Sequence, residues 1–189
     1  MLRRTYVEID LAAIKHNLLV IRGMIARNVK ILLPVKADAY GHGLREVSLY
    51  VQKEGLVDML GVASASEGIE LRHAGVDLPI LVLGLTLPEE DIVDRILDYS
   101  LSQTVADMAL PRMISSRAPA RKNRGLVHLK IDTGMGRVGC SVSEARGLAR
   151  EISGLRSIKL EGIFSHFPAA DNGDPGFTRN QIKIFNEIT

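Results

Sequence analysis

The run Ile31-Leu32-Leu33-Pro34-Val35, followed at once by Lys36-Ala37-Asp38-Ala39-Tyr40-Gly41-His42-Gly43, sets the reading of the whole chain. A short apolar run bounded by a polar, glycine-punctuated stretch fits a strand covered on both faces. Lys36 stands at the carboxyl end of that strand. Lysines are almost never fully buried unless paired. Burial lowers an amine's pKa and frees its lone pair, which suits it to Schiff-base chemistry. The turn that follows brings an aromatic hydroxyl, Tyr40, and an imidazole, His42. Reactive groups gather in this way at the carboxyl ends of the strands of an α/β barrel. The ordinary alternative is a solvated lysine whose stem alone is packed.

Working outward, the same pattern recurs along the chain. Strands are expected at Lys30–Val35, Met59–Ala63, Ile80–Leu83, Ser102–Val105, Leu126–Ile131 and Leu160–Ser165, with helix-length segments between them. Asp10 can cap the first helix, whose face is Ile14, Leu18, Ile21 and Ile25. Thr86, with Pro88 and the acids Glu89, Glu90 and Asp91, is expected to open another, and Gly75 to close the one before it. Ser141 and Glu144 have capping-box spacing, although Ser143 is an equally good cap. Pro111 sits awkwardly in the helical region after Asp107. Phe177, Thr178, Gln181 and Ile182 read as a hydrophobic staple and capping box, ahead of a stripe of Ile182, Phe185 and Ile188.

Repeated strand-then-helix order argues for a parallel sheet with right-handed crossovers. A closed barrel of this kind needs eight strands and typically about 250 residues. The expected fold is therefore an α/β, (β/α)8 TIM-type barrel truncated to about six strand-helix units, its last helix running to Thr189 without a terminal cap.

The 189 residues are enough for one domain with a real core, and a net charge of +2 is too small to argue for nucleic acid or a membrane surface. The most basic stretch, Arg117 to Arg124, lacks interleaved aromatics and reads as a solvated loop. Cys140 is the single cysteine, which excludes an intrachain disulfide and fits a reducing compartment. The amino terminus has no signal-peptide core, no segment is long enough to span a bilayer, and no metal site is expected. The expected localisation is cytoplasmic.

Three strings, in order, carry a resemblance. Lys36-Ala37-Asp38-Ala39-Tyr40-Gly41-His42-Gly43 resembles the pyridoxal-phosphate (PLP) signature of the alanine racemase family. Lys130-Ile131-Asp132-Thr133-Gly134-Met135-Gly136-Arg137-Val138-Gly139 resembles the segment bearing that family's substrate-binding arginine. Gly162-Ile163-Phe164-Ser165-His166-Phe167 resembles its later strand-end histidine. The resemblance runs from about Thr5 onward. It implies a PLP-binding barrel normally followed by a carboxyl-terminal β domain, so that residues 1–189 make an incomplete amino-terminal barrel and the β domain is absent. It further implies a homodimer, paired head to tail, that interconverts L- and D-alanine and supplies D-alanine for peptidoglycan.

The resemblance implies roles residue by residue. Lys36 would carry PLP as a Schiff base and act as one of two bases on the substrate Cα proton. The hydroxyl of Tyr40 would bind the cofactor phosphate; otherwise the ring packs on the barrel rim. Arg137, on a turn whose glycines permit positive φ and close backbone approach, would hold the substrate carboxylate and contact the cofactor's ring oxygen, with Met135 lining the site. A guanidinium fork suits such a carboxylate. Lys130 would support Arg137, in many relatives as a carbamate. His166 would bond an arginine from a later strand that touches the pyridine nitrogen, and would here be left without that partner. His42 fits the motif without an assigned task. The phosphate loop, the pyridine-contacting arginine and the second base, a tyrosine from the neighbouring subunit, lie outside this sequence, so the chain alone is expected to be inactive.

Two other readings compete. One is a PLP barrel enzyme acting on another amino acid, an ornithine-type decarboxylase or a serine racemase among them. The other is a non-catalytic, single-domain PLP homeostasis protein, against which Arg137 argues because a carrier has no substrate carboxylate to hold. An open barrel would also expose its first and last strands, and self-association is expected.

Overall fold

The computed structural model describes residues 5–121 and 124–189, in two compact units, Met1–Leu81 and Val82–Thr189. The elements follow the order α1 (Leu11–Met24), β1 (Leu32–Pro34), α2 (Lys36–Gly41), α3 (Leu44–Lys53), β2 (Met59–Val62), α4 (Ala65–His73), β3 (Ile80–Leu85), α5 (Glu90–Asp98), β4 (Ser102–Val105), α6 (Ala109–Arg117), a short 3-10 turn (Ala118–Arg121), β5 (Gly125–Lys130), α7 (Val142–Gly154), β6 (Ile158–Phe164) and α8 (Gly176–Ile188). All six expected strands are present, and their order in the sheet is the order of the sequence. Sequential neighbours, each reached by a helical crossover, are what alternating strand and helix patterns require. No described helix is long and apolar enough to cross a membrane.

In the first unit β1 runs parallel to β2, with Leu32 opposite Met59 and Pro34 opposite Gly61. The core is built on Val35, Val51, Leu60, Val62 and Leu71, each fully buried. Asp10 caps α1 as expected, its Oδ1 accepting from the N–H groups of Ala12 (2.8 Å) and Ala13 (3.1 Å). Of the expected α1 face only Leu18 is buried, and Ile21 is 45% exposed. Gly75 follows the cap of α4 with φ of +93°, the left-handed closure that favours glycine.

In the second unit β4, β5 and β6 run parallel, with a register irregularity between Val127 and His128. Val105, Ile114, Val127, Leu129, Ile131, Ile152 and Ile158 form its core, against which Phe185 and Ile188 of α8 pack. Fully burying such side chains stabilises the fold by roughly 1.5–3 kcal/mol each. The Ser141–Glu144 capping box forms, with Ser141 rather than Ser143 as cap. Pro111 is the third residue of α6. The first-turn N–H groups have no intrahelical partner, so a proline there loses nothing.

Three local expectations fail, each to a more distant partner. The helix after β3 starts at Glu90 with Glu89 as cap, while Thr86 instead donates its hydroxyl to Gln103 Oε1 at 3.0 Å. The Thr178–Gln181 box does not form, because the Gln181 side chain is buried and bonded elsewhere. The basic stretch is not a solvated loop where it is described. Arg117 ends α6 and pairs with Asp94 and with Glu90 (2.8 Å), Ala118–Arg121 form the 3-10 turn, and residues 122 and 123 lie outside the described residues.

Candidate active site

Lys36 follows Val35, which is fully buried, at the carboxyl end of β1. Its side chain is half-buried, not buried as the sequence suggested, and its Nζ lies 6.0 Å from the centroid of the Tyr40 ring. Tyr40 is 60% exposed, so its ring does not pack on a rim. The segment is no ordinary turn. Ala37, Asp38, Ala39 and Tyr40 have φ of +51° to +56° and ψ of +37° to +54°, a single turn of left-handed helix. For residues with a Cβ this conformation costs roughly 1–2 kcal/mol each, and strain of this kind persists where the surroundings over-determine it.

Those surroundings are identifiable. The Ala39 N–H donates to the Val35 carbonyl at 2.8 Å and the Gly43 N–H to the Asp38 carbonyl at 2.9 Å. The Asp38 carboxylate accepts from the Leu44 N–H at 2.7 Å, joining the turn to the start of α3. Glu67 of α4 accepts from the Ala37 N–H at 2.9 Å and, through its other oxygen, from the Ala63 N–H at 2.6 Å. His42 lies 2.9 Å, through Nδ1, from the Ala39 carbonyl, which makes that nitrogen the donor. It serves as a hydrogen-bonded structural group.

In the second unit, Lys130 is the last residue of β5, only 7% exposed, with Nζ 5.5 Å from the centroid of the Phe164 ring. Beyond it the chain loops out and returns. The Cys140 N–H donates to the Lys130 carbonyl (2.9 Å) and the Asp132 N–H to the Cys140 carbonyl (3.0 Å). Inside this loop Gly134, Gly136 and Gly139 have φ of +139°, +71° and +140°, as the glycine spacing suggested. Arg137 is exposed and Met135 half-buried.

The loop is organised by Asp132, which the sequence reading passed over. Its carboxylate accepts from the N–H groups of Gly134 and Arg137, both at 2.9 Å. Backbone N–H groups, Gly134 first and then Gly136, Arg137 and Met135, hold its pKa below the usual carboxylate range. A carboxyl whose pKa is depressed on folding contributes order above its unfolded value, and that contribution is lost as pH falls through the folded value. The Gly134 and Arg137 amides should therefore lose protection on acidification below about pH 4, the ordinary Asp range. Amide exchange followed by NMR checks this, and the acid step should be missing in Asp132→Asn.

The loops after β5 and β6 are tied together. Thr133 and Ser165 share a hydroxyl hydrogen bond of 2.7 Å. Gln181, fully buried on α8, donates through Nε2 to Thr133 Oγ1 (3.1 Å) and to the His166 carbonyl (3.0 Å). His166 is exposed and has an interaction within the described residues. The structure thus assembles Lys36, Tyr40 and His42 on one strand end, and Lys130, Arg137 and His166 on two adjacent strand ends of the other unit.

The family described as alanine racemase, N-terminal domain, matches residues 9–189. The chain belongs to the alanine racemase family. It is 40% identical over 187 residues to alanine racemase 1 of Caldanaerobacter subterraneus subsp. tengcongensis, covering 98% of this chain and 47% of that one. It is 41% identical over 182 residues to the alanine racemase of Desulforamulus reducens, covering 95% and 48%. The solved alanine racemase of Clostridium difficile 630 superposes with a TM-score of 0.93 at 35% identity, over 100% of this chain and 51% of that one. The chain therefore spans about half the length of the relatives it matches. Its six strand-helix units are those of the alanine racemase amino-terminal barrel, as expected. Neither competing reading, a PLP homeostasis protein or a barrel enzyme for another amino acid, is favoured by these relatives.

Within the alanine racemase segment three residues make contacts that the sequence patterns do not predict. Asp132 carried a usable signal, since an acid opening a glycine-rich turn commonly accepts its own backbone N–H groups. Gln181 was noticed, but as a cap. Glu67 carried no signal at all, because its partner Ala37 is 30 residues away.

Proposed function

We propose that this chain is the amino-terminal, PLP-carrying part of an alanine racemase that interconverts L- and D-alanine, and that it works in the cytoplasm to supply D-alanine for peptidoglycan. The observation that carries the reading is Lys36, a half-buried amine at a strand end, on a strained turn beside a phenol. That donor set fits PLP, which needs an amine for covalent attachment and hydrogen-bond donors for its phosphate. When bound, PLP supplies an electron sink for the charge left at the substrate Cα.

The chain's own residues do the rest. Lys36 holds the cofactor, and its Nζ then acts on one face of Cα, taking the proton from one enantiomer and delivering one when the reaction runs the other way. The Tyr40 hydroxyl donates to the phosphate. The guanidinium of Arg137 binds the substrate carboxylate in a bidentate fork and fixes which bond of Cα is presented; Met135 shields that position from water. Lys130 positions Arg137, and His166 supports the cofactor ring. A racemase needs a second base on the opposite face, and we assign that role to a residue of the intact protein's dimer partner. Residues 1–189 then form an incomplete barrel domain that does not turn over alone.

Visible absorbance during titration with PLP, followed by borohydride reduction and peptide mapping, tests the reading. Modification confined to Lys36, and absent in Lys36→Ala, is expected. Modification scattered over surface lysines would overturn it. We also propose that copies of the chain associate through β1 and β6, the two ends of the strand order. Sedimentation velocity should show a dimer or larger species at micromolar concentration, and a stable monomer counts against pairing.

A further inference from the structure

We propose that Glu67 is a positioning residue for Lys36: its carboxylate pins the left-handed turn to the end of β2 and so sets the direction of the amine from α4. The inference concerns the same strand end as the proposed function and rests on that reading only for the purpose of the amine, not for the clamp itself.

Glu67 is the third residue of α4, behind the cap Ser64, whose hydroxyl accepts from the Glu67 N–H. A glutamate at this position ordinarily reaches back to its own cap. Here the carboxylate extends past it, one oxygen to the Ala63 N–H and the other to the Ala37 N–H. The Ala37 N–H belongs to the peptide plane that leaves Lys36. Fixing that plane fixes the backbone at Lys36, and with it the line along which the side chain departs. The partner choice is also chemically specific. Both contacts are backbone donors, so both positions want an acceptor, and only a carboxylate presents one on each side. The amino end of α4 favours the negative charge that this requires. Asp38 performs the matching task at the exit, where its carboxylate holds the Leu44 N–H. The costly left-handed turn is thereby held at both ends by carboxylates, and its entrance depends on a residue from another element.

The test uses the full chain, without PLP for the clamp and with two different probes for the amine. Amide exchange on the native chain should show Ala37 and Ala63 protected. In Glu67→Gln one acceptor becomes a donor facing a donor, and exchange at both amides should accelerate by about tenfold or more, as expected for loss of a charge-assisted bond. Lys36 is then read by reductive methylation with formaldehyde, which needs no cofactor site, and separately by borohydride trapping of PLP. Methylation of Lys36 should change several-fold relative to Lys15 and Lys53, and PLP trapping, where the native chain shows it, should fall several-fold.

Unprotected Ala37 in the native chain overturns the proposal. So does faster exchange in Glu67→Gln with unchanged methylation of Lys36, which would make Glu67 a purely structural tether. A native chain that is methylated at Lys36 but takes no PLP there counts against the cofactor reading alone, and the clamp is still decided by exchange and methylation. If Glu67→Gln does not fold, Glu67→Asp keeps the charge but is one methylene too short for both contacts. It should release at least one of the two amides and shift Lys36 methylation, and failure to do either overturns the proposal.

Discussion

Gly139→Ala should destabilise the second unit by about 3 kcal/mol or more and release the turn that carries Arg137. Two independent costs add at this position. Its φ of +140° lies in a region that residues with a side chain rarely adopt. A Cβ there would also meet the Asp132 nitrogen at 2.5 Å and the Ile131 carbonyl carbon at 2.8 Å. Both are backbone atoms of the bridge between Ile131 and Cys140, so neither can retreat without breaking it. The Asp132 N–H bond to Cys140 would be the first to go, and with it the base from which the Asp132 carboxylate organises Gly134 and Arg137. Gly136→Ala is the control. Its φ is +71° with nothing within 4 Å of an added Cβ, so only the conformational cost of about 1 kcal/mol applies. Urea denaturation of the two variants should separate them clearly, and Arg137 amide protection should survive in Gly136→Ala and vanish in Gly139→Ala. Equal stability of the two would mean that the close approach of Gly139 to the bridge is not what holds the loop.

The contrast between these glycines shows what the sequence could and could not convey. Strand positions, the Asp10 cap, the Gly75 closure and the Ser141–Glu144 box were legible because each depends on neighbours within a few residues. Thr86 and Gln181 were misread for the opposite reason. Each has a good local use as a cap, and each is taken by a partner far away in the chain, Gln103 for one and Thr133 with His166 for the other. The motif around Lys36 pointed to a candidate site but carried no sign of its conformation. Nothing in the residues Ala37, Asp38, Ala39 and Tyr40 prefers a left-handed turn, and the bond that holds its entrance comes from α4. At the candidate site, the motif residues could be named from the sequence, while Glu67 and Gln181, which hydrogen-bond the turns that carry them, could not be assigned those contacts. Those two contacts are long-range hydrogen bonds, which leave no periodic trace.

Gln181→Ala tests this division most directly, with an expected loss of about 2–4 kcal/mol. The side chain is fully buried, and its orientation is decided by chemistry: the His166 carbonyl needs a donor, so the amide nitrogen must face it. Truncation leaves a cavity and strips that carbonyl of its partner. Thr133 suffers less, since it keeps its hydrogen bond with Ser165. Gln181→Leu separates the two contributions. Leucine refills the space but offers no donor, so about 1–3 kcal/mol of the loss should remain, the cost of a partly buried carbonyl without its bond. If leucine instead restores native stability, Gln181 is a packing residue and α8 does not hold the His166 loop by hydrogen bonding. If both variants lose stability in the expected order, protection of the Gly134 and Arg137 amides should fall with it. The neighbouring Thr133 then links α8 to the turn that presents Arg137. An arginine so exposed can bind a carboxylate with a defined geometry only when the loop beneath it is fixed. In this chain that fixing is done by Asp132 from inside the loop and by Gln181 from below.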